Sequence, residues 1–300
     1  MGLKGSPDSG LYGMADQAAS LRKLASPCRV VGFISSQVGL GYGTILAGIA
    51  AEFSNQTNWK TLLLSQRQSH SYDNRLSLLS ILGGQLDSAQ TITTLPFEAQ
   101  LIATRYDNLD VFQPSNDADF LEPEAVDQIH KLEVALKEIT QDYQLILLDF
   151  GQMVEGETAV PSAIPSELIT ITSPSKDSRT RCYGLIKDIL KNESDAQVKL
   201  IINMAQSETV SDNVAQSVQS VVKKFLNHDL QILGNILSDP DIIRITRQSR
   251  PINELLSDNL VAESIQEMVQ TLINEHDENK ITLVKLGTML VQNFVVSSKK

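Results

Sequence analysis

Short apolar runs alternate with longer amphipathic segments along most of this chain. The apolar runs have the length and the residue types of buried strands, and they lie at residues 29–34, 61–64, 109–112, 145–149, 168–172, 199–203 and 231–236. The amphipathic segments carry apolar residues at helical spacing, at residues 44–53, 123–140, 178–190, 211–225 and 261–273. This order predicts an α/β domain over residues 28–275, in which helices cover both faces of a mostly parallel sheet.

A separate short helix is predicted before this domain, at residues 14–25. The segment is made largely of helix formers, with Ala18, Leu21 and Leu24 recurring at every third position. Residues 1–13 contain four glycines and Pro7 among mostly polar residues. Such a composition buries too little apolar surface to order itself, so we expect a flexible tail there.

An amphipathic helix is also predicted at residues 280–296. One stripe of this helix is apolar, and its members are Leu283, Leu286, Leu290 and Phe294. The opposite side is polar and consists of Lys285, Thr288 and Gln292. The apolar stripe fits two alternatives that the sequence leaves open: peripheral contact with a membrane surface, helped by nearby lysines, or docking on the domain.

Charge and composition exclude several kinds of site. The formal net charge of −11 argues against nucleic acid as a partner, because neutralising phosphates requires clustered Lys and Arg. Cys28 and Cys182 are the two cysteines, and their spacing indicates neither a disulfide framework nor a metal site. No apolar run reaches the roughly 18 residues of a membrane span, and no signal-peptide core is present. We therefore expect a cytoplasmic protein with protein partners.

The loop at residues 35–44 lies between the first predicted strand and helix, and reads Ser-Ser-Gln-Val-Gly-Leu-Gly-Tyr-Gly-Thr. Gly39 and Gly41 allow backbone N–H groups to turn toward a phosphate. A working phosphate loop also needs a Lys that reaches the phosphates and a hydroxyl that binds Mg²⁺. Tyr42 stands where the Lys belongs and Gly43 where the hydroxyl belongs, although Thr44 offers a partial substitute. The loop keeps the glycines of a nucleotide site without its charges.

A carboxylate, Asp149, ends the apolar run at residues 145–149. This run resembles a Walker B segment, in which a buried strand delivers one carboxylate to a Mg²⁺-bound water. An Asp at the end of an apolar strand is common, so the pattern has meaning only beside the glycine loop. Both features follow predicted parallel strands, and ligands of such sheets bind at the carboxyl ends of strands.

The order of these elements resembles the MinD/ParA family of deviant Walker ATPases. Four stretches carry the likeness: the glycine loop with its flanking strand and helix, residues 143–151, residues 198–203, and residues 233–239 leading into 250–252. Together they span roughly residues 30 to 273. The resemblance implies a P-loop NTPase-like fold, and it implies that Asn203 helps to recognise adenine.

The segment at residues 16–22 narrows the resemblance to the flagellar branch of that family, the FlhG/FleN/YlxH regulators of flagellar number. Its sequence, Asp-Gln-Ala-Ala-Ser-Leu-Arg, matches in full the DQAxxLR motif that this branch carries ahead of its ATPase domain. The resemblance implies that the helix docks on the SRP-type GTPase FlhF and stimulates GTP hydrolysis. The expected contact residues are Asp16, Gln17, Ala18, Leu21 and Arg22.

Several positions depart from the family pattern. The family's signature Lys aligns with Gln37, its phosphate-loop Lys with Tyr42, and the carboxylates expected after the second strand with Ser65 and Arg67. Phosphoryl transfer depends on positioned positive charge, so we expect no catalytic residues, no metal and no ATPase activity. The remnant nucleotide site would bind ATP or ADP weakly or not at all, through Gly39, Gly41, Tyr42, Gly43, Thr44, Asp149 and Asn203.

The sequence thus favours a non-enzymatic MinD-like regulator of flagellar number, placement and biogenesis that acts on an SRP-type GTPase. Two alternatives stay open. One is a true MinD/ParA-type ATPase that positions cellular structures. The other is an anti-activator that binds a flagellar transcription regulator or switch-complex proteins. A homodimer, or a mixed dimer with an intact relative, is compatible with each of them.

Overall fold

The computed structural model describes residues 27–65, 78–83, 89–92, 94–95, 99–114, 126–153, 160–161, 163–240, 259–275 and 280–294. The predicted tail at residues 1–13, the predicted helix at 14–25 and the stretch at 250–252 lie outside these described residues. Arg67 lies outside them as well.

Ten strands and seven helices are formed by the described residues. The strands are β1 (Pro27–Ser35), β2 (Thr61–Ser65), β3 (Gln90–Ile92), β4 (Ala99–Ala103), β5 (Leu109–Pro114), β6 (Leu145–Gln152), β7 (Glu167–Thr172), β8 (Gln197–Ala205), β9 (Gln231–Leu237) and β10 (Lys280–Thr282). The helices are α1 (Tyr42–Gln56), α2 (Leu78–Ile81), α3 (Val126–Thr140), α4 (Lys176–Asn192), α5 (Glu208–Leu226), α6 (Leu260–Asn274) and α7 (Leu283–Phe294). All seven predicted strands are present.

The strands form one sheet in the order β3-β4-β5-β2-β6-β1-β7-β8-β9. Within this order, each pair of neighbours from β5 through β2, β6, β1, β7 and β8 to β9 is parallel. Antiparallel pairing is confined to β3 with β4, β4 with β5, and β10 with the start of β1. The prediction of a mostly parallel sheet is confirmed.

Two layers of helices bury the two faces of this sheet. Alternate residues of each central strand point to opposite faces, so Val30 and Ile146 join one apolar cluster while Val31 and Leu147 join the other. Helices α3, α4, α5 and α7 cover the first face, and α1, α2 and α6 cover the second. Burial on both faces explains why these strands read as continuous apolar runs in the sequence.

The antiparallel additions were not predicted. Strands β3 and β10 are three residues long, and β3 exposes Gln90 and Thr91. Strand β4 buries Ala99 and Ile102 and leaves its other three residues half-buried. Short, half-buried strands leave a weak apolar signal, so the sequence pattern reads them as loop.

Helix α7 begins at Leu283, three residues later than predicted, because residues 280–282 pair with the start of β1. The helix packs against α3, with Leu286 and Leu290 fully buried. Asn293 fixes its end, since Nδ2 donates to the carbonyl of Ala163 at 2.6 Å and Oδ1 accepts from that residue's N–H at 2.9 Å. Its polar residues Lys285, Thr288 and Gln292 are exposed. The described part of the apolar stripe is therefore docked on the domain.

The side chains of Leu283 and Phe294 lie outside the described ones. Peripheral membrane contact of this helix stays a prediction. Within the described ranges, no helix is long and apolar enough to cross a bilayer.

A buried ionic cluster joins the amino ends of β1, β7 and β8. The guanidinium of Arg29 contacts both carboxylate oxygens of Glu167, at 3.0 and 2.7 Å, and Lys199 Nζ donates to the same carboxylate at 2.8 Å. Arg29 also donates to the carbonyl of Leu272 at the end of α6, and Lys199 pairs with Glu275 just beyond it. The cluster ties α6 to the sheet mainly through the buried side chains of Arg29, Glu167 and Lys199.

Candidate functional site

The glycine loop is shaped by two residues with left-handed backbone conformations. It runs from the end of β1 to Tyr42, the first residue of α1. Gly39 has φ 84° and Gly41 has φ 71°, values that side chains other than glycine rarely tolerate. A Cβ at Gly41 would also lie 2.7 Å from Nδ2 of Asn203. The loop therefore keeps the curled backbone that presents N–H groups in phosphate loops.

Asn203, on β8, holds this loop from one side. Its Nδ2 donates to the carbonyl of Leu40 at 2.8 Å, and its Oδ1 accepts from the N–H of Met204 at 2.8 Å. The side chain is buried, with 7% of its surface exposed. Both ends of the amide are thus engaged with backbone of the protein itself, at the residue for which the family resemblance implies adenine contact.

Tyr42 holds the loop from the other side. Its ring is buried, and its hydroxyl lies 2.6 Å from Oδ1 of Asp149 and 2.9 Å from the carbonyl oxygen of Phe33. A phenol has one proton to donate. The shorter distance is typical of a charge-assisted bond between O–H and a carboxylate. Tyr42 therefore donates to Asp149.

Asp149 is satisfied by donors of the protein. It ends the apolar part of β6 and is 7% exposed. Besides Tyr42, the N–H of Gly151 donates to Oδ1 at 2.9 Å and the hydroxyl of Ser65 donates to Oδ2 at 3.1 Å. Ser65 is the register partner of Asp149 in the neighbouring strand. Among the described residues, three neutral groups thus donate to the carboxylate at the position where a Walker B Asp would face Mg²⁺.

A nucleoside triphosphate with Mg²⁺ does not fit the residues of this site. Positions 37 and 42 carry Gln and Tyr, so the loop supplies no cation to a phosphate. Gly43 supplies no hydroxyl to a metal, and the oxygens of Asp149 already accept bonds from the protein. In the part of the chain that the structure describes, no cluster of His, Cys, Asp and Glu could hold a metal ion.

Two polar atoms of the loop are left without a protein partner among the described residues. They are the hydroxyl oxygen of Ser36 and the amide oxygen of Gln37, and both atoms are buried. Buried polar atoms nearly always have a hydrogen-bond partner, so these positions suit water or a small polar group. The loop has kept polar lining while losing its charges.

The two thiols are unsuited to nucleophilic or metal chemistry. Cys28 and Cys182 are free and buried. Desolvation by burial raises the pKa of Cys28 to about 11 and that of Cys182 to about 12. Both are therefore thiols rather than thiolates at neutral pH.

The structure brings the residues named for the remnant site to one edge of the sheet. Gly39, Gly41 and Tyr42 lie in the loop, and Asp149 and Asn203 reach it from β6 and β8. Gly43 and Thr44 follow in the first turn of α1, both half-buried. The proposed partner-binding residues Asp16, Gln17, Ala18, Leu21 and Arg22 lie outside the described residues.

Sequence reasoning missed what these side chains bind. Ser65 was noted only as a lost carboxylate, whereas its hydroxyl is a donor to Asp149. The sequence held a signal for this contact, because Ser65 directly follows one predicted apolar strand and Asp149 ends another. The bonds from Tyr42 to Asp149 and from Asn203 to Leu40 left no comparable signal, since they join residues that are 107 and 163 positions apart.

Known structures share this fold at low sequence identity. The MinD cell division protein of Aquifex aeolicus is 19% identical, with a TM-score of 0.59 over 82% of this chain and 98% of that chain. The septum site-determining protein MinD of Pyrococcus horikoshii OT3, solved in complex with Mg-ADP, is 19% identical, with a TM-score of 0.58 over 83% and 98%. A ParA family ATPase from Chlorobium tepidum TLS is 18% identical, with a TM-score of 0.53 over 81% and 98%.

No protein-family model matches the chain, and no curated protein matches it in sequence. Likeness at such identities establishes the fold alone. The chain has the fold of MinD and ParA ATPases, which confirms the predicted P-loop NTPase-like architecture.

Proposed function

We propose that this protein is a non-enzymatic regulator built on the MinD/ParA fold, which acts by binding partner proteins rather than by hydrolysing nucleotide. The observation that carries the proposal is the bond from Tyr42 to Asp149. The P. horikoshii MinD was solved with Mg-ADP on the same fold. In this chain a tyrosine occupies the position of the phosphate-binding Lys and is bonded to the carboxylate that would face the metal.

The expected loss of affinity follows from the missing cations. A hydrogen bond to a charged group contributes about 1.5–3 kcal/mol, so the loss of one phosphate-binding Lys weakens ATP binding by roughly tenfold to a hundredfold. The missing hydroxyl at Gly43 removes a metal ligand as well. Hydrolysis suffers more than binding, because the transition state for phosphoryl transfer needs positioned positive charge.

The partner we propose is an SRP-type flagellar GTPase, which the protein stimulates through the helix at residues 16–22. The DQAxxLR sequence of that segment supports this assignment. In such a helix Leu21 and Ala18 supply apolar contact, while Gln17 and Arg22 orient polar groups near the nucleotide of the partner. Regulation of flagellar number and placement follows if the chain acts on that GTPase.

The test is GTP hydrolysis by an SRP-type flagellar GTPase with and without this protein. We expect stimulation by the intact chain, a large loss of it with Gln17→Ala, and none with residues 1–25 deleted. The matched control is Gln292→Ala, because Gln292 is an exposed glutamine on α7 and is not part of the segment at residues 16–22. Stimulation should be the same with and without ATP. A chain that leaves the GTPase rate unchanged would refute this function.

The alternatives give different outcomes in the same series. A true ATPase would release phosphate from ATP, and Asp149→Ala would abolish that release. An anti-activator would leave the GTPase rate unchanged and bind the transcription regulator in a titration with purified components. Asp149, retained at the end of β6, is the feature that keeps the ATPase alternative worth measuring.

A further inference from the structure

We infer that Tyr42 is a built-in substitute for a bound nucleotide: its hydroxyl fastens the glycine loop to β6 in the free chain, so that the loop has one conformation whether or not ATP is present. This inference deepens the proposed function, and it rests on the proposed absence of nucleotide chemistry at this loop. It concerns regulation of the site rather than the identity of the partner.

The loop is fastened on both sides of β1. On one side Tyr42 bonds to Asp149 of β6, and on the other Asn203 of β8 bonds to the carbonyl of Leu40. In the sheet β6 is the neighbour of β1, and β8 lies two strands away in the opposite direction. The Tyr42 hydroxyl, whose one proton goes to Asp149, also lies 2.9 Å from the carbonyl oxygen of Phe33 near the end of β1. The loop therefore needs no external ligand to fix its ends.

The buried carboxylate makes the contact with Tyr42 costly to lose. Asp149 is 7% exposed, and a carboxylate in such a position requires donors to offset its lost hydration. In a nucleotide-binding relative a metal and its waters supply that compensation. Tyr42 supplies it here from within the chain, and a covalently attached donor does not dissociate as a ligand does.

The surface of the loop is then constant for any partner. Val38 lies at the tip with 62% of its surface exposed, and Gly39 beside it is exposed as well. Because Tyr42 fixes the end of the loop just after Val38 and Gly39, we expect these two residues to keep their positions at all nucleotide concentrations. A partner protein that binds this surface therefore responds to the concentration of this protein and not to whether nucleotide is bound to it.

The direct test is amide hydrogen exchange of residues 36–41 in the full chain, comparing wild type with Tyr42→Phe. The change deletes one hydroxyl and keeps the ring, so we expect exchange in the loop to accelerate by about tenfold to a hundredfold. The matched control is Tyr143→Phe. Tyr143 donates to Asp110 at 2.7 Å near the opposite end of β6, so this variant should leave the loop unchanged.

Two outcomes of that comparison would overturn the inference. One is equal exchange of the loop in wild type and Tyr42→Phe. The other is slower exchange of the wild-type loop when Mg-ATP is added at millimolar concentration, because a loop that is already fixed gains nothing from a ligand. Unchanged wild-type exchange with Mg-ATP supports it.

A gain-of-function variant tests the same inference from the other direction. In Tyr42→Lys combined with Gly43→Thr, the cation and the hydroxyl return, and a Cβ at position 43 meets only ordinary contact, 3.8 Å from Leu78. Mg-ATP should then slow exchange of the loop in this variant and not in wild type. If the folded double variant shows the same loop exchange with and without Mg-ATP, a feature other than Tyr42 and Gly43 excludes the nucleotide, and this result would count against the inference.

These measurements are separable from the test of the proposed function. Stimulation of the GTPase depends on residues 16–22, whereas exchange at residues 36–41 reports the bond between Tyr42 and Asp149. Failure of the first with success of the second would refute the partner and keep the fixed loop. The reverse result would keep the partner and remove the built-in substitute.

Discussion

A buried carboxylate lies near each end of β1, and the two are stabilised by different kinds of donor. At its start, Arg29 and Lys199 surround the buried carboxylate of Glu167 with positive charge. At its end, the buried carboxylate of Asp149 accepts bonds from Tyr42 and other neutral donors. The fold thus keeps buried cations at the edge where no ligand is expected and lacks them in the loop where a phosphate would need them.

The comparison separates positive charge that stabilises the fold, as at Glu167, from positive charge that a phosphate-binding loop would need for its ligand. A buried ion pair gains from mutual attraction only when its geometry is good and its remaining hydrogen bonds are made. The cluster around Glu167 meets both conditions, with a two-point contact to Arg29 and further bonds to α6. The donors to Asp149 among the described residues are neutral, and the glycine loop carries no Lys or Arg. At this edge the carboxylate serves to hold the loop against β6.

The largest effect is expected at the start of β1. Arg29→Met leaves the fully buried Glu167 with one cation instead of two, and should lower the free energy of unfolding by about 3–5 kcal/mol. Urea unfolding followed by circular dichroism measures it. The control is Arg181→Met, which breaks a partly exposed pair with Asp177 and should cost at most about 0.5 kcal/mol. Similar losses in both variants would show that the buried ionic cluster contributes no more than an exposed ion pair.

A smaller loss is expected at the carboxyl end. Asn203→Ala removes the neutral bond to Leu40 and leaves that carbonyl without its donor, so the free energy of unfolding should fall by about 1–2 kcal/mol. Asn235→Ala is the control, because it deletes a hydrogen bond to Glu208 that faces solvent. An effect of Asn203→Ala as large as that of Arg29→Met would contradict the comparison.

The ionic end should also show a pH dependence, through Glu275. Desolvation by burial raises the pKa of this carboxyl, but hydrogen bonds from Lys199 and Gln231 outweigh it and hold the pKa below its usual value of 4.5. The stabilisation is therefore present above about pH 4.5 and is lost as pH falls through the lower folded-state pKa. Because Glu275 is 37% exposed, we expect at most about 1 kcal/mol.

Unfolding in urea at several pH values tests this expectation. The difference in stability between wild type and Glu275→Gln should be full at neutral pH and should shrink below about pH 4.5. Glu263→Gln is the control, because Glu263 is an exposed glutamate within α6. A difference that grows as pH falls would mean that the sign of the coupling is wrong.

The smallest expected effect is a rate rather than a stability. Cys28 precedes Arg29 in β1, and burial raises its pKa to about 11. It should resist a thiol reagent at pH 8 in the folded wild type and react in 6 M urea. In Arg29→Met it should react faster, because local opening of the start of β1 exposes it. Equally slow labelling in both proteins would show that the ionic cluster does not control this end.

The central strands were predictable because burial on both faces leaves an uninterrupted apolar run. Strand β6 illustrates this with its apolar run from Leu145 to Leu148, all of it buried. Strand β7 is also buried from Glu167 to Thr172, although threonines alternate with its isoleucines. The hairpin of β3 and β4 was not predictable, since one side of it meets water. In helix α7, Leu286 and Leu290 of the predicted apolar stripe are buried, whereas the start of the helix depended on the pairing of residues 280–282 with β1.

The places of the glycine loop and of Asp149 along the chain could be read from the sequence, but the hydrogen bonds between their side chains could not. The spacing of glycines located Tyr42 where a Lys belongs, and the end of an apolar run located Asp149. That the two side chains bond to each other depends on how β1 and β6 are aligned, which no local pattern encodes. The same holds for Glu167, whose pairing with Arg29 follows from the parallel alignment of β7 with β1.

The pairing of β10 with β1 has a mechanical consequence. Pro27, Cys28 and Arg29 lie opposite Thr282, Ile281 and Lys280. Helix α7 follows β10 without a linker. Tension applied to the chain just before Pro27 is therefore borne first by this short ladder and then by α7. The packing of α7 against α3 and its hydrogen bonds to Ala163 set how much force that junction withstands before β1 begins to separate from β10.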